Sequence, residues 1–210
     1  PNLAIEADAV IRPVTTIKGF AGYTFGRTDD TIQTDREPLG VVGTTDDSGN
    51  ATAEVTLPDP QSTTALNEAD VILRLVDTNG RTVERTISRP VMAGGNRIGL
   101  KPQFADASGI QQGTNAGFDV IAVDPDNKLT AMSGLNWTLS KIDSTYQWYR
   151  DNGVWKWENV TTTNRVANGT VDTNATGPVT VAAPVQWGQY LLEVTAADGS
   201  TSSSYSFYAG

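Results

Sequence analysis

Two aromatic runs face each other across an Asn-Gly pair: Tyr146-Gln147-Trp148-Tyr149-Arg150 leads into Asp151-Asn152-Gly153, and Val154-Trp155-Lys156-Trp157-Glu158 leads out. Asn-Gly between runs of β-forming residues supplies the positive φ angles of a tight hairpin turn, so residues 146–158 are predicted to be two antiparallel strands. Side chains alternate across a strand. Tyr146 and Trp148 therefore share one face, and Trp155 and Trp157 share a face of the returning strand. Three of the five tryptophans lie in this hairpin. Arg150, Lys156 and Glu158 interleave with the rings and can pair across the strands, which leaves each strand one aromatic and one polar or mixed face. That pattern predicts burial of the aromatic face, in a core or against another domain. A ligand platform with ring faces against sugar faces is an alternative, as is an intermolecular interface. Tyr146, Trp148, Trp155 and Trp157 are the candidate interface or platform residues.

Turn chemistry punctuates the rest of the chain at similar intervals. Residues 3–11, 50–57 and 69–76 alternate apolar and polar, and Asp77-Thr78-Asn79-Gly80 turns the third run into residues 81–89. Pro58-Asp59-Pro60 ends a strand, and residues 61–67 form a polar connection. Arg89-Pro90 and Gly94-Gly95-Asn96 mark a boundary between domains at 1–95 and 96–210. The second half continues with strand-like runs at 98–102, 117–123, 135–142, 164–171, 177–182, 188–195 and 203–208. Abundant Gly, Thr, Asn, Asp, Ser and Val beside sparse Leu, Lys and Glu favours strands over helices. The expectation is an all-β chain of two tandem antiparallel β-sandwiches.

The same composition removes whole classes of chemistry. The chain of 210 residues has no Cys and no His, which excludes disulfides, thiolate and imidazole metal sites, and His-dependent triads or dyads. The formal charge of −9 is spread along the chain, and its 15 basic residues form no stripe, so nucleic acid is not an expected partner. No window approaches the roughly 20 apolar residues of a membrane helix, so direct membrane insertion is not expected. Without an initiating Met, the chain reads as a soluble piece of a larger protein, expected to be monomeric. Asp77-Thr78 resembles half of an aspartic-protease loop, and Asp124, Asp126 and Asn127 resemble part of a calcium loop. The first has Asn79 where Gly belongs and no second copy; the second lacks the required Gly and terminal acid. Both read as solvated turns, as do Asp29-Asp30 and Asp46-Asp47. Five Asn-x-Thr triplets, at Asn50, Asn136, Asn159, Asn168 and Asn174, are expected by chance in a chain rich in Asn and Thr. No catalytic, cofactor-binding or metal-binding residue is assigned.

A more specific likeness lies in the second half. Gly99-Leu100-Lys101-Pro102-Gln103-Phe104, Phe118-Asp119-Val120-Ile121-Ala122-Val123-Asp124, Trp137-Thr138-Leu139, Trp148-Tyr149-Arg150 and Trp187-Gly188-Gln189-Tyr190-Leu191-Leu192-Glu193-Val194 come in an order that resembles bacterial α2-macroglobulins. The first half is more loosely similar to the preceding domain of that family, through Tyr23-Thr24-Phe25-Gly26, Arg36-Glu37-Pro38-Leu39, residues 49–57 and Arg81-Thr82-Val83-Glu84-Arg85. The resemblance implies two consecutive macroglobulin-like domains, each a seven-stranded sandwich. It also implies a noncatalytic scaffold role in a broad-spectrum protease trap of the periplasm, whose parent is often a lipoprotein on the inner membrane. The implied partners are neighbouring domains of the full-length protein and, through it, target proteases. The family's Cys-Gly-Glu-Gln thioester motif does not occur here, so its covalent chemistry transfers to no residue. Residues 61–67 are the best physical candidate for a bait segment. The alternative is a carbohydrate-binding or adhesive module that displays Trp148, Trp155 and Trp157.

Overall fold

The computed structural model describes residues 2–30, 34–58, 66–91, 94–105 and 109–210. Among them are thirteen strands and no helix. In chain order the strands are β1 (Ala4–Val14), β2 (Thr24–Phe25), β3 (Asp35–Thr44), β4 (Leu66–Val76), β5 (Thr82–Val91), β6 (Arg97–Pro102), β7 (Asn115–Val123), β8 (Leu129–Thr130), β9 (Leu135–Asp151), β10 (Val154–Val171), β11 (Val179–Pro184), β12 (Gly188–Thr195) and β13 (Ser202–Ala209). The chain divides into unit 1, Pro1–Thr15 with Asp30–Gly94, and unit 2, Thr16–Asp29 with Gly95–Gly210.

Among the described residues, unit 1 contains one antiparallel sheet in the order β3-β1-β4-β5. The expected β4–β5 hairpin forms through Asp77, whose Oδ1 accepts from the amides of Asn79 and Arg81, each at 2.8 Å. Two details differ from the sequence reading. Residues 35–44 form β3 despite Pro38 and Gly40, because β3 is an edge strand and an edge tolerates a missing donor. Residues 50–57 alternate as a strand would, yet they join no ladder. A Cβ on Gly43 would stand 3.3 Å from the Thr52 carbonyl, so this segment lies close over β3 rather than along its edge. Of the bait candidate 61–67, Leu66 and Asn67 open β4 and the remainder falls outside the described residues.

Asp8 is buried on β1, which is flanked on both sides by β3 and β4. It stands opposite Pro38 on β3 and Ile72 on β4, so Arg36 and Arg74 are its diagonal neighbours. Arg74 Nη1 donates to its Oδ2 at 3.0 Å and Arg36 Nε to the same oxygen at 3.0 Å. Hydrogen bonds from Arg74 and Arg36 hold the Asp8 carboxyl below the ordinary carboxylate range. A carboxyl depressed in the folded state stabilises it fully above the unfolded value of about 3.9, and that contribution is lost as pH falls through the folded value. Asp8→Asn is therefore expected to speed exchange of the β1 amides at pH 7. The gap to wild type should narrow as pH falls below the unfolded value and through the lower folded value, where the wild-type carboxyl also becomes neutral.

Unit 2 is a two-layer sandwich. One sheet runs β10-β9-β12-β13; the other runs β11-β7-β6-β2 and carries β8 on β7. Among the described residues unit 2 shows nine strands and unit 1 four, where the resemblance implied seven each. The alternation of β12 is strict, with Gly188, Tyr190, Leu192 and Val194 buried. Tyr190 stacks on Phe207 at 5.6 Å, and Phe207 meets Phe118 at 5.4 Å across the layers. Ile98, Leu100, Leu135 and Leu139 complete this core.

Thr16–Asp29 belongs to unit 2, a placement absent from a linear division at 95/96. The chain consequently passes between the units three times, and Gly94-Gly95 is only the last passage. Thr24 and Phe25 pair with Leu100 and Gly99 on β6. Phe25 is buried over Gly99, where a Cβ would stand 2.9 Å from the Phe25 ring and from Ile121. The buried Ser203 hydroxyl accepts from the Gly26 amide at 3.0 Å and donates to the Ile98 carbonyl at 2.6 Å. Ser204 Oγ accepts from the Thr28 amide at 2.8 Å. Arg27 reaches Asp29 at 2.7 Å and Glu193 at 2.6 Å. Phe25→Ala is expected to destabilise unit 2 by about 3–5 kcal/mol in denaturant unfolding. Unchanged stability would mean that Thr16–Asp29 contributes nothing to that core.

Candidate functional site: an aromatic ribbon on unit 2

The aromatic hairpin is the distal half of one long strand pair. β9 and β10 pair from Leu135↔Val171 to Asp151↔Val154, interrupted by a register shift between Arg165 and Ala167. β12 pairs with β9 only over Asn136 to Ile142. Past Ile142 the two strands have only each other, and both faces from Asp143 through Arg150 are exposed. Nine residues of extended strand, 143–151, give this ribbon a length of about 30 Å. Asn152 at φ 48° and Gly153 at φ 83° close its tip, the two positive angles anticipated for Asn-Gly.

Cross-strand register decides which side chains meet. Trp148 stands directly opposite Trp157, Tyr146 opposite Asn159, and Arg150 opposite Trp155. Directly opposed residues project to the same face, so Tyr146, Trp148, Trp155 and Trp157 form one aromatic surface. They are 68%, 66%, 65% and 59% exposed respectively. Tyr146 and Trp157 meet edge to face, with ring centroids 5.4 Å apart and planes at 69°. Together with Trp148 they line an open concavity of about 350 Å³. The other face carries Tyr149 opposite Lys156, whose ammonium pairs with the Asp151 carboxylate. Arg150 Nε donates to the Gly153 carbonyl at 3.3 Å, inside the turn.

Of the two forms of burial expected from the alternation, in a core or against another domain, the first is corrected: the rings lie outside the core of unit 2. Alternation shows which side chains share a face but not whether a second layer lies over that face. Here β9 and β10 outrun β12, and the rings stay exposed. Trp137 is the indole packed on the core, lying across Gly169, where a Cβ would come within 2.8 Å of its Nε1. Trp187, named above only for the family likeness and not as a site residue, is 61% exposed and meets Tyr208 edge to face.

The acidic turns have one local explanation. Asp46, Asp77 and Asp124 each use Oδ1 to accept from the amides two and four residues ahead. Each loop also places Gly49, Gly80 or Asn127 at positive φ. The carboxylates serve their own loops. Among the described residues, no three Asp or Glu side chains converge on a metal-sized site.

Comparison with known proteins places both halves. Residues 1–93 match the bacterial α2-macroglobulin MG5 domain model, and residues 99–210 match bacterial macroglobulin domain 6. The α2-macroglobulin of Xylella fastidiosa strain 9a5c is 28% identical over 190 residues, covering 90% of this chain and 12% of that protein. The Escherichia coli K12 protein is 29% identical over 153 residues, covering 65% and 9%. Among solved structures, native E. coli α2-macroglobulin matches all of this chain and 14% of its own at TM-score 0.76 and 25% identity. Salmonella α2-macroglobulin reacted with methylamine likewise matches in fold, at TM-score 0.78 and 23% identity over the same shares.

The two units are thus macroglobulin domains of bacterial type. The chain belongs to the bacterial α2-macroglobulin family, and it spans about an eighth of the Xylella relative's length.

The exposure of the rings makes a direct prediction. Trp148→Ala combined with Trp157→Ala should change unit 2 stability by less than about 1 kcal/mol, whereas Leu139→Ala in the core should cost about 2–5 kcal/mol. Acrylamide should quench most tryptophan emission of the 210-residue chain. Shielded, blue-shifted emission would contradict the exposed ribbon.

Proposed function

We propose that this chain is a noncatalytic scaffold segment of a bacterial α2-macroglobulin that traps proteases in the periplasm after bait cleavage. The observation that carries the reading is the match of its halves to two consecutively numbered macroglobulin domain models, in order and along nearly the whole chain. Two E. coli α2-macroglobulin structures at 25% identity are described as activated by porcine elastase and by trypsin, which supports protease capture as the activity of the whole protein. Within that protein, the packed sandwich of unit 2 supplies rigidity, and its partners are adjoining domains and the captured protease. On this reading the parent works in the periplasm, where a lipoprotein anchor would hold it to the inner membrane.

The test uses the full-length polypeptide incubated with elastase or trypsin. Cleavage should be followed by a mobility change on a native gel. The captured protease should keep its activity on small peptide substrates and lose it on large proteins. Cleavage without protection of large substrates would refute trapping. Cell fractionation checks the address.

A second reading is favoured by the exposure of Trp148, Trp155 and Trp157: a carbohydrate-binding or adhesive module. It requires saturable quenching of tryptophan emission by a soluble glycan, with loss of the effect in Trp148→Ala.

A further inference from the structure

A two-stranded ribbon in water is marginally stable on its own. This one extends beyond the sheet that anchors it and keeps its largest rings on one exposed face. That face combines Tyr146, Trp148, Trp155, Trp157 and Arg150, the residue types that dominate binding energy at protein interfaces. The rings of Tyr146 and Trp157 stand at 69° to each other, so this pair does not form one flat platform. The concavity lined by Tyr146, Trp148 and Trp157 offers more to an inserted apolar side chain than to a flat sugar chain.

Area then separates the possible occupants. Four rings exposed by about two-thirds present about 500 Å². A stable complex between separate molecules buries about 800 Å² per partner. A patch of the smaller size suffices when the occupant is tethered, because linkage raises its effective concentration to about the millimolar range. The relatives supply such tethered domains: about seven-eighths of the Xylella protein lies outside the part matched here.

We propose that the concave face of Tyr146, Trp148 and Trp157 is one half of an intramolecular interface, filled in the full-length polypeptide by apolar side chains of another of its own domains. The proposal rests on the scaffold reading above and names the surface through which unit 2 would engage that scaffold.

Hydrogen exchange on the full-length polypeptide tests it, with wild type compared to Trp148→Ala/Trp157→Ala and to Tyr149→Ala on the opposite face. The double variant should speed exchange by at least about tenfold both in the ribbon and in a second segment outside this chain, with β7 unchanged. Tyr149→Ala should leave the second segment unaffected. The proposal is overturned if no second segment responds. It is overturned equally if the response disappears on dilution, which would identify a second copy as the occupant. Saturable protection of Tyr146, Trp148 and Trp157 by cello- or chito-hexaose, with no second segment responding, would assign the face to glycan and also overturn it. Protease trapping is scored on the same preparations. Intact trapping without a responding segment defeats the docking alone, and a responding segment without trapping defeats the protease-trap reading alone.

Discussion

The first half of β9 is clamped on both edges, and the ribbon depends on that clamp. From Asn136 to Ile142 the strand lies between β12 and β10, with Leu135 and Leu139 buried in the core below it. A strand held on two edges and one face has its twist and register set, because a one-residue slip would move its apolar side chains to the wrong face. The continuation past Ile142 inherits that register. Trp148 thus meets Trp157, and four rings that could have been divided between two faces gather on one.

Unit 2 is also completed from a distant part of the sequence. Thr16–Asp29 brings Phe25 over Gly99 and presents the Gly26 and Thr28 amides to the serines of β13. This explains why Ser202, Ser203 and Ser204 are buried in a strand where apolar residues would be expected. Each hydroxyl that would otherwise cost free energy in the interior has a partner. The arrangement joins β2, β6 and β13 through hydrogen bonds as well as packing. It makes the N-terminal segment a structural part of the second domain, although the family models match the halves as contiguous stretches.

Exposed aromatic surface on an otherwise well-packed sandwich gives the ribbon its functional interest. The core rings, Phe118, Tyr190 and Phe207, are enclosed between two layers, whereas those of the ribbon have no layer above them. The loops at Asp46, Asp77 and Asp124 offer no comparable site, since these carboxylates are engaged by amides of their own loops. A scaffold domain with such a projection is suited to contacts beyond its own core.

Much of this was legible in the residues themselves. Turn chemistry at Asn152-Gly153 and Asp77-Thr78-Asn79-Gly80, and the alternation along β4, β7 and β12, are local signals. They located the hairpins and most strands because backbone sterics and side-chain period act within a few residues. The segment 50–57 carried the same alternation without forming a strand, since a ladder needs a partner edge that no local pattern supplies. β3 was hidden by Pro38, which only its edge position accommodates. Alternation paired Tyr146 with Trp148 and Trp155 with Trp157, and the register of β9 against β10 put both pairs on one face. Whether that face is covered, and that Phe25 belongs to the second core, were decided by contacts between residues far apart in the chain. Such contacts depend on where neighbouring strands end, and neither alternation nor composition records that.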